Sequence, residues 1–385
     1  MNPQVKYPVT VVGSWPRPAW LLDAMKRRSP SLPDLKDQAT LLAIKYQEDA
    51  GVDIVSDGEQ RRDNFYSFIA DRLEGIRLMT LAELLDYVED KAAFENLLNA
   101  LDVPAFAIKN PVVAGKVRRR ASLAMDDYRF LRRHTRKPVK VTLPGPYLLS
   151  RSTWVKGLSE STYPDGDSLG EDIVAVLHEE LQELAAAGAE MVQFDEPVLS
   201  ELLLAGRSAT RTFMCAALAA RSSPEGELER AVSLINRVVE GITGPTLCVH
   251  VCRGNWSRNE DVLLAGPYDG LIPYLNRMKL DQFVLEYATS RAGATQAVAQ
   301  LRPDAQIGYG AVNPRTAEIE RPEEIVARVR ELERVIPSER IFLNPDCGFG
   351  TFAERPVADT QTAFEKLSTL AAAARQLRVE PSRNS

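Results

Sequence analysis

Eight short apolar segments recur along this chain, and stretches with helical periodicity separate most of them. Several segments lack the polar alternation of a half-exposed strand, which is typical of parallel strands covered on both faces. The segments are Val9–Ser14, Val52–Glu59, Val139–Gly145, Met191–Pro197, Thr246–Cys252, Phe283–Tyr287, Ile307–Val312 and Ile341–Cys347. The clearest helical stretches are Asp172–Ala187, Glu227–Val239, Glu323–Val335 and Thr360–Leu377.

Strands that alternate with helices predict an α/β fold with a parallel sheet and right-handed crossovers. Eight such units close into a (β/α)8 TIM barrel. An open doubly wound sheet is the alternative, but no GxGxxG motif follows the first strand, which weakens its dinucleotide-binding version.

The connection between the second and third strands is much longer than the others. We interpret residues 65–137, approximately, as an insertion on the active face of one catalytic domain that spans residues 1–385. Within it, Leu78–Leu101 has a helical pattern, and Ala105–Arg120 is interpreted as a hairpin around Lys109-Asn110-Pro111.

Composition excludes several classes of protein. The 385 residues carry a formal net charge of −6, and residues of both signs are well mixed along the chain. The sequence therefore lacks the strongly basic face that is typical of nucleic-acid-binding proteins. No apolar run reaches the ~18 residues of a membrane span, and the N-terminus has no apolar core of a signal peptide. Four cysteines in a chain of this length do not indicate a disulfide framework. We therefore expect a soluble cytoplasmic protein with reduced thiols and with no nucleic-acid or membrane partner.

Soft metal ligands occur near several predicted strand ends, where barrels of this kind carry their chemistry. His250 and Cys252 lie one residue apart on the fifth segment, so their side chains point to the same face. Cys347 ends the eighth segment and Glu286 lies in the sixth. Two thiolates, one imidazole and one carboxylate suit a tetrahedral zinc ion.

These residues also have purely structural interpretations. Cysteine is often a small buried hydrophobic residue, and a His-x-Cys pair alone is as compatible with packing as with a metal. Glu286 has the alternative of a buried ion pair with Arg291 or Arg253. The remaining cysteines, Cys248 and Cys215, are interpreted as core residues, and the remaining histidines, His134 and His178, as surface residues.

Three carboxylates, Glu59, Asp195 and Glu196, fall at the ends of the second and fourth segments. Because adjacent strand residues point to opposite faces, we expect Asp195 to face the cavity and Glu196 the helical shell. Glu59 and Asp195 are suited to bind the ammonium group of an amino-acid substrate, and the Gly13-Ser14 backbone its carboxylate. A salt bridge with neighbouring side chains is the alternative for each carboxylate.

The ordered set of strand-end motifs resembles the C-terminal catalytic barrel of cobalamin-independent methionine synthase over almost the entire chain. Val12-Gly13-Ser14 resembles the family's Ile-Gly-Ser, and Gly58-Glu59 resembles its His-Gly-Glu. The other matching motifs are Leu143–Pro146 to Leu-Thr-Gly-Pro, Gln193–Pro197 to Gln-Ile-Asp-Glu-Pro, and His250-Val251-Cys252, Glu286 and Asn344–Gly348 to the zinc-ligand segments.

The resemblance implies a zinc-dependent thiol S-methyltransferase that converts homocysteine to methionine. It implies a zinc ion held by His250, Cys252, Glu286 and Cys347, and a homocysteine amino-acid group bound by Ser14, Glu59 and Asp195. The methyl donor is expected to be a folate or a corrinoid-bound methyl group, so a methyl-donor protein is an expected type of partner.

Several features depart from the family pattern. The full family enzyme has a second, N-terminal barrel that helps to hold its polyglutamylated folate, whereas the eight segments here account for one barrel. Arg315 stands in the stretch where the family places a catalytic histidine. Arg119 is a candidate for the family's folate-contacting arginine, and Trp154 lies near its expected aromatic position. Glu286 stands five residues before Arg291, a longer gap than in the family. The identity of the methyl donor therefore stays open.

Three other functions also stay open on the sequence. One is alkyl transfer to another thiol on a similar zinc site, as from an epoxyalkane to coenzyme M. The second is a metal-free lyase of the uroporphyrinogen decarboxylase type, which shares the barrel. The third is a barrel that binds zinc or a partner without catalysis.

Overall fold

The computed structural model describes residues 5–87, 91, 109–204 and 223–379 of the chain. Its strands are β1 (Leu73–Thr80), β2 (Lys109–Arg119), β3 (Lys140–Pro144), β4 (Met191–Asp195), β5 (Thr246–Val251), β6 (Gln282–Glu286), β7 (Gln306–Val312) and β8 (Ile341–Pro345). The last six form one parallel sheet in the order β3-β4-β5-β6-β7-β8. All residues of β3, β4, β5, β6 and β8 are buried, as expected for strands between a barrel interior and a helical shell.

The first two predicted segments close this sheet into a barrel. Parallel bridges join Val9 to Leu343, Thr10 to Ile54, and Val55 to Val139. The neighbours therefore run from β8 through these two segments back to β3, which confirms the predicted (β/α)8 TIM barrel. Both segments pair through isolated bridges and not through continuous strands. Pro8 and Pro138 flank the bridged residues and have no amide hydrogen with which to extend the ladder.

The helices around the barrel follow the predicted alternation. They are α1 (Ala19–Lys26), α2 (Leu32–Asp49), α3 (Leu81–Leu84), α4 (Met125–His134), α5 (Pro146–Ser152), α6 (Gly166–Ala186), α7 (Val198–Leu204), α8 (Pro224–Val238), α9 (Ile272–Leu275), α10 (Pro322–Leu332) and α11 (Thr360–Val379). Short 3-10 turns span Ser67–Asp71, Leu85–Tyr87, Glu260–Val262, Ser290–Ala292, Thr295–Gln300 and Ser338–Arg340.

The four clearest predicted helices are all present, with shifted bounds. Helix α6 begins earlier than its apolar pattern predicts, because the Asp165 side chain accepts a hydrogen bond of 2.8 Å from the Ser168 amide and caps the helix. No helix within the described ranges is long and apolar enough to cross a membrane.

An antiparallel ribbon of β1 and β2 projects from the long second connection. Its register runs from Leu73 opposite Arg119 to Thr80 opposite Lys109. The predicted hairpin around Lys109-Asn110-Pro111 is therefore wrong, since residues 109–119 form one continuous strand. The predicted helix over Leu78–Leu101 is also wrong at its start, where residues 78–80 belong to β1. Most of its remainder lies outside the described residues, as do the stretch around Cys215 and residues 105–108.

Tertiary contacts override the Asn-Pro turn signal in this ribbon. The Asn110 side-chain amide donates to the carbonyl oxygens of Pro111 and Ser152, each at 3.1 Å. The Val113 amide donates to the Thr153 carbonyl at 2.8 Å. These bonds hold β2 in an extended conformation against the barrel. We propose that the ribbon belongs to an insertion within one catalytic domain.

Candidate metal centre

Three side chains that could bind a soft metal ion meet at the carboxyl ends of β5 and β8. His250 lies in β5, Cys252 directly follows that strand, and Cys347 follows β8 by two residues. One ligand atom from each residue lies within 4.8 Å of the other two. His250 and Cys252 are buried, and Cys347 is half-buried. The predicted convergence of two cysteines and one histidine is therefore present, and the group is able to hold a metal ion.

The pKa values of the two thiols are shifted in opposite directions by their mutual contact. A hydrogen bond from the Cys347 thiol holds the pKa of Cys252 below its usual range, even though burial acts in the opposite direction. The same contact, together with burial, raises the pKa of Cys347. Two cysteine sulfurs and an imidazole form a donor set that zinc accepts.

Both ring nitrogens of His250 have an oxygen neighbour. Nδ1 lies 3.1 Å from Oδ1 of Asp195, and Nε2 lies 3.3 Å from the carbonyl oxygen of Asp346. Burial opposes a charged imidazole, but the hydrogen bond to Asp195 and the nearby Cys252 outweigh it and raise the pKa of His250 to about 9. The imidazole ring therefore has a hydrogen-bond acceptor beside each of its two nitrogens.

Glu286, the fourth predicted ligand, ends β6 but does not belong to this group of three. It is fully buried. Its Oε1 accepts hydrogen bonds from the Arg253 amide at 2.5 Å and from the Asn255 side chain, and its Oε2 lies 3.2 Å from Nη2 of Arg291. The ion-pair alternative with Arg291 is therefore what this structure contains, and ligation by Glu286 stays a prediction.

The group of three opens into a cavity with an empty volume of about 600 Å³, part of it continuous with solvent. Besides the three ligands, its lining includes the predicted substrate-binding residues Gly13, Ser14, Glu59 and Asp195. Its aromatic wall, Phe65, Trp256 and Phe352, was not predicted. Asn255 and Trp256 lie three and four residues after Cys252, so their proximity in sequence to the His-x-Cys motif was the signal that could have identified them.

Glu59 is held in a strained backbone conformation beside the cavity. Its φ is 55°, and its Oε1 accepts a hydrogen bond of 3.2 Å from the Thr142 hydroxyl. Its Oε2 has no hydrogen-bond partner within the described residues. Burial raises the pKa of Glu59 to about 7, although Arg62 acts in the opposite direction. A Cβ at Gly13 would lie 2.4 Å from Oε1 of Glu59, so a side chain there would displace the Glu59 carboxylate.

Ser14 connects the first segment to the loop after β8. Its Oγ accepts hydrogen bonds from the amides of Thr351 at 3.0 Å and Gly350 at 3.3 Å. The Ser14 side chain therefore fixes the loop that follows Cys347. The hydroxyl oxygen is the acceptor in both bonds, and the Gly13-Ser14 backbone stays the predicted contact for a substrate carboxylate.

The two adjacent carboxylates at the end of β4 separate as predicted. Asp195 lines the cavity. Glu196 turns toward the shell and accepts hydrogen bonds from the amides of Tyr147 at 2.7 Å and Leu148 at 2.9 Å, in the first turn of α5. The alternation of side chains along a strand accounts for the separation.

Three residues from divergent stretches lie outside the cavity lining. Arg119 forms ion pairs with glutamates of α6, and Nε1 of Trp154 donates to the Tyr163 carbonyl at 2.9 Å. Arg315 is buried, and its Nε donates to Oδ1 of Asn255 at 2.7 Å. Arg315 therefore contacts Asn255, a hydrogen-bond partner of Glu286, and it also forms an ion pair with Glu260.

Comparison with known proteins agrees with this geometry. The model of the family described as the catalytic domain of cobalamin-independent synthase matches residues 7–376. The chain belongs to this cobalamin-independent synthase family. The family assignment confirms the predicted resemblance, and with it an enzyme of the methyltransferase class.

Relatives of this chain include two methionine synthases. The protein of Saccharolobus solfataricus is 24% identical over 97% of this chain and 95% of its own length. That of Pyrococcus furiosus is 26% identical over 97% of this chain and 93% of its own length. A B12-independent methionine synthase from Shewanella sp. W3-18-1, solved with selenomethionine, has the same fold, with a TM-score of 0.73 and 23% identity over 97% of this chain and 98% of that one.

Proposed function

We propose that this chain is a zinc-dependent methyltransferase that transfers a methyl group to the sulfur of homocysteine and forms methionine. The observation that carries the proposal is the group of His250, Cys252 and Cys347, whose ligand atoms lie within 4.8 Å of one another. The same cavity is lined by two carboxylates, Glu59 and Asp195, suited to an amino-acid ammonium group. The names of the relatives support the same reaction.

A bound zinc ion supplies the chemistry that lowers the pKa of a substrate thiol, so that the thiol ionises near neutral pH. His250, Cys252 and Cys347 would hold the ion. Glu286 is proposed as the fourth ligand, which requires that its carboxylate leave Arg291. Cys252 and Cys347 must stay reduced for this role, which favours a reducing compartment such as the cytoplasm.

The other residues of the cavity orient the substrate. Glu59 and Asp195 would bind the ammonium group, and the Gly13-Ser14 backbone would bind the carboxylate, so that the sulfur points toward the three ligands. The aromatic wall, Phe65, Trp256 and Phe352, reduces the access of water to the reacting sulfur. In the transfer the substrate thiol gives its proton to solvent, and an electron pair of the sulfur forms the bond to the methyl carbon. The bond between the methyl and the donor breaks, and its electron pair stays with the donor.

The methyl donor is proposed to be a folate or a corrinoid-bound methyl group, the latter delivered by a donor protein. Neither Arg119 nor Trp154 lines the cavity, so a donor would meet the aromatic wall and not these two side chains.

Purified protein loaded with zinc tests the proposal. It is incubated with homocysteine and with methyl-folates of short and long glutamate tails, methylcobalamin or S-methylmethionine, and methionine is measured. We expect one zinc per chain and methionine from at least one donor, with both lost after chelation. Protein that retains no zinc, or that forms methionine equally well without it, contradicts the proposal.

A further inference from the structure

Lys140 begins β3, toward the end of the barrel opposite the candidate metal centre, and its side chain is completely buried. Its Nζ donates hydrogen bonds to the Val11 carbonyl at 2.8 Å and to Oε1 of Gln193 at 3.1 Å. Burying an ammonium group is costly unless its hydrogen bonds are made. The proposed reaction does not use this lysine, and it does not line the cavity.

Lys140 determines which way the amide of Gln193 faces. Because an ammonium group has donors only, the amide oxygen must point toward Lys140. The amide nitrogen then points toward two acceptors, the Val12 carbonyl and Oδ1 of Asp195, both at 2.9 Å. A reversed amide would place its NH2 group against the ammonium and its oxygen against a carboxylate. The hydrogen bonds therefore allow a single orientation.

Asp195 continues this chain of contacts to His250. The oxygen that accepts from Gln193 is the one that lies 3.1 Å from Nδ1 of His250. A carboxylate in this place favours a proton on Nδ1. Nε2, which lies 3.3 Å from the Asp346 carbonyl oxygen, would then be the nitrogen that binds a metal. Metal-binding histidines commonly donate their other N–H to a carboxylate, and this contact fixes the tautomer and the ring orientation.

We propose that Lys140 is a positioning residue for the metal centre. By holding Gln193 in one orientation, it directs Asp195 toward Nδ1 of His250 and prepares Nε2 to bind zinc. Lys140 itself touches neither substrate nor metal. The inference rests on the proposed zinc site and extends it to the barrel interior.

A double-mutant cycle on zinc affinity tests this chain of contacts. The variants are Lys140→Met, Gln193→Leu and the two combined, each measured by competition with a chromophoric chelator. We expect each single variant to bind zinc roughly 10-fold more weakly than the wild type. This loss is typical when a residue that supports a metal ligand through hydrogen bonds is removed. The combined variant should lose no more than either alone, because both changes break the same chain.

Gln282→Leu is the matched control. Gln282 is an equally buried glutamine at the same level of the barrel, since both it and Gln193 pair with Cys248. Its amide, however, lies 3.5 Å from Gln306, away from Asp195. This variant should keep the zinc affinity of the wild type.

A nuclear magnetic resonance measurement separates positioning from general support of the fold. The chain has three histidines, so the Nδ1 proton of His250 is assignable in zinc-loaded protein with 15N-labelled histidine. This proton should exchange slowly in the wild type and in Gln282→Leu. It should shift upfield and exchange faster in Lys140→Met and Gln193→Leu.

Unchanged zinc affinity and an unchanged Nδ1 proton in folded Gln193→Leu contradict the inference alone, and this variant serves if Lys140→Met does not fold. Additive losses in the combined variant also contradict it, because they indicate two independent effects. Wild-type protein that binds no zinc contradicts the proposed function and the inference with it.

Discussion

Nη2 of Arg291 lies 3.2 Å from Oε2 of Glu286, and both side chains are almost completely buried. The glutamate proposed as a zinc ligand is thus engaged by a guanidinium group, while its second oxygen accepts from the Arg253 amide and from Asn255. Arg291 and a metal ion would compete for the same oxygen. The competition makes Arg291 a means of testing whether Glu286 binds the ion.

Arg291→Met should lower the unfolding free energy of the metal-free protein and increase its affinity for zinc. Loss of one partner of a buried ion pair costs about 3 kcal/mol of unfolding free energy, and zinc would compensate the freed carboxylate. Urea unfolding without zinc and chelator competition measure the two effects. Arg321→Met removes an exposed arginine paired with Glu324 and should change neither. If Arg291→Met instead binds zinc more weakly than the wild type, Glu286 is not a zinc ligand.

Cys347→Ala should lose bound zinc and methyl transfer together, because it removes one of three clustered ligands. The fold should persist, since the strand-end site of a barrel is rarely its main support. Metal content per chain and circular dichroism measure both results. Cys248→Ala is the control: this fully buried cysteine lies outside the cluster and should keep its zinc. Full zinc occupancy in Cys347→Ala would exclude this residue as a ligand.

Glu59 should make stability depend on pH. Burial raises its pKa from 4.5 to about 7, so the folded state binds this proton more tightly than the unfolded state. The contribution of this protonation to the unfolding free energy is fully present below pH 4.5. It is lost as the pH rises to 7, a change of about 3 kcal/mol. Glu59→Gln should therefore narrow the difference in unfolding free energy between pH 5 and pH 8.

Urea unfolding at the two pH values measures this difference. Glu74→Gln, at an exposed position of the ribbon, controls for the loss of one negative charge and should keep the wild-type pH dependence. If Glu59→Gln has the same pH dependence as the wild type, Glu59 is not protonated in the folded state near neutral pH.

Asp195→Asn should weaken zinc binding roughly 10-fold, because the amide no longer provides a charged acceptor for Nδ1 of His250. Zinc-saturated protein should also require more homocysteine, since a charged contact to the ammonium group is lost. Glu196→Gln is the neighbouring control: it affects the start of α5 and should leave zinc affinity unchanged. An unaltered homocysteine requirement in Asp195→Asn would remove Asp195 from the substrate site.

Arg119→Met should destabilise the fold without affecting the metal centre. The Arg119 side chain contacts three glutamates of α6, and one of them, Glu180, is completely buried. Removing the arginine should cost about 3 kcal/mol of unfolding free energy, while Arg118→Met, at an exposed neighbour, should cost little. A change in the requirement for methyl donor with unchanged stability would instead assign Arg119 to donor binding.

Local patterns in the sequence were sufficient to predict the barrel and the convergence of the three candidate ligands. The apolar segments predicted eight barrel positions, and the two-residue period placed His250 and Cys252 on one face. Parallel strands in a barrel bring their carboxyl ends together, so Cys347 was expected near them although it lies far away in the sequence. The same alternation separated Asp195 from Glu196.

Long-range contacts decided the features that the sequence left open or predicted wrongly. The pairing of β1 with β2 overrode the Asn-Pro turn signal, because Asn110 finds partners in the barrel. The choice of Glu286 between a metal and Arg291 depends on distances that spacing does not reveal. The contact between Lys140 and Gln193 likewise depends on the folded barrel, because the two residues lie on different strands.

The sequence by itself therefore determined the order of the barrel elements and which ligand types reach its rim, because side-chain direction along a strand depends on local geometry alone. Only the tertiary structure decided which buried charges are paired, since an ion pair or hydrogen bond requires two groups from distant segments to meet within about 3 Å. The chain of contacts from Lys140 to His250 was therefore decided by the tertiary structure alone.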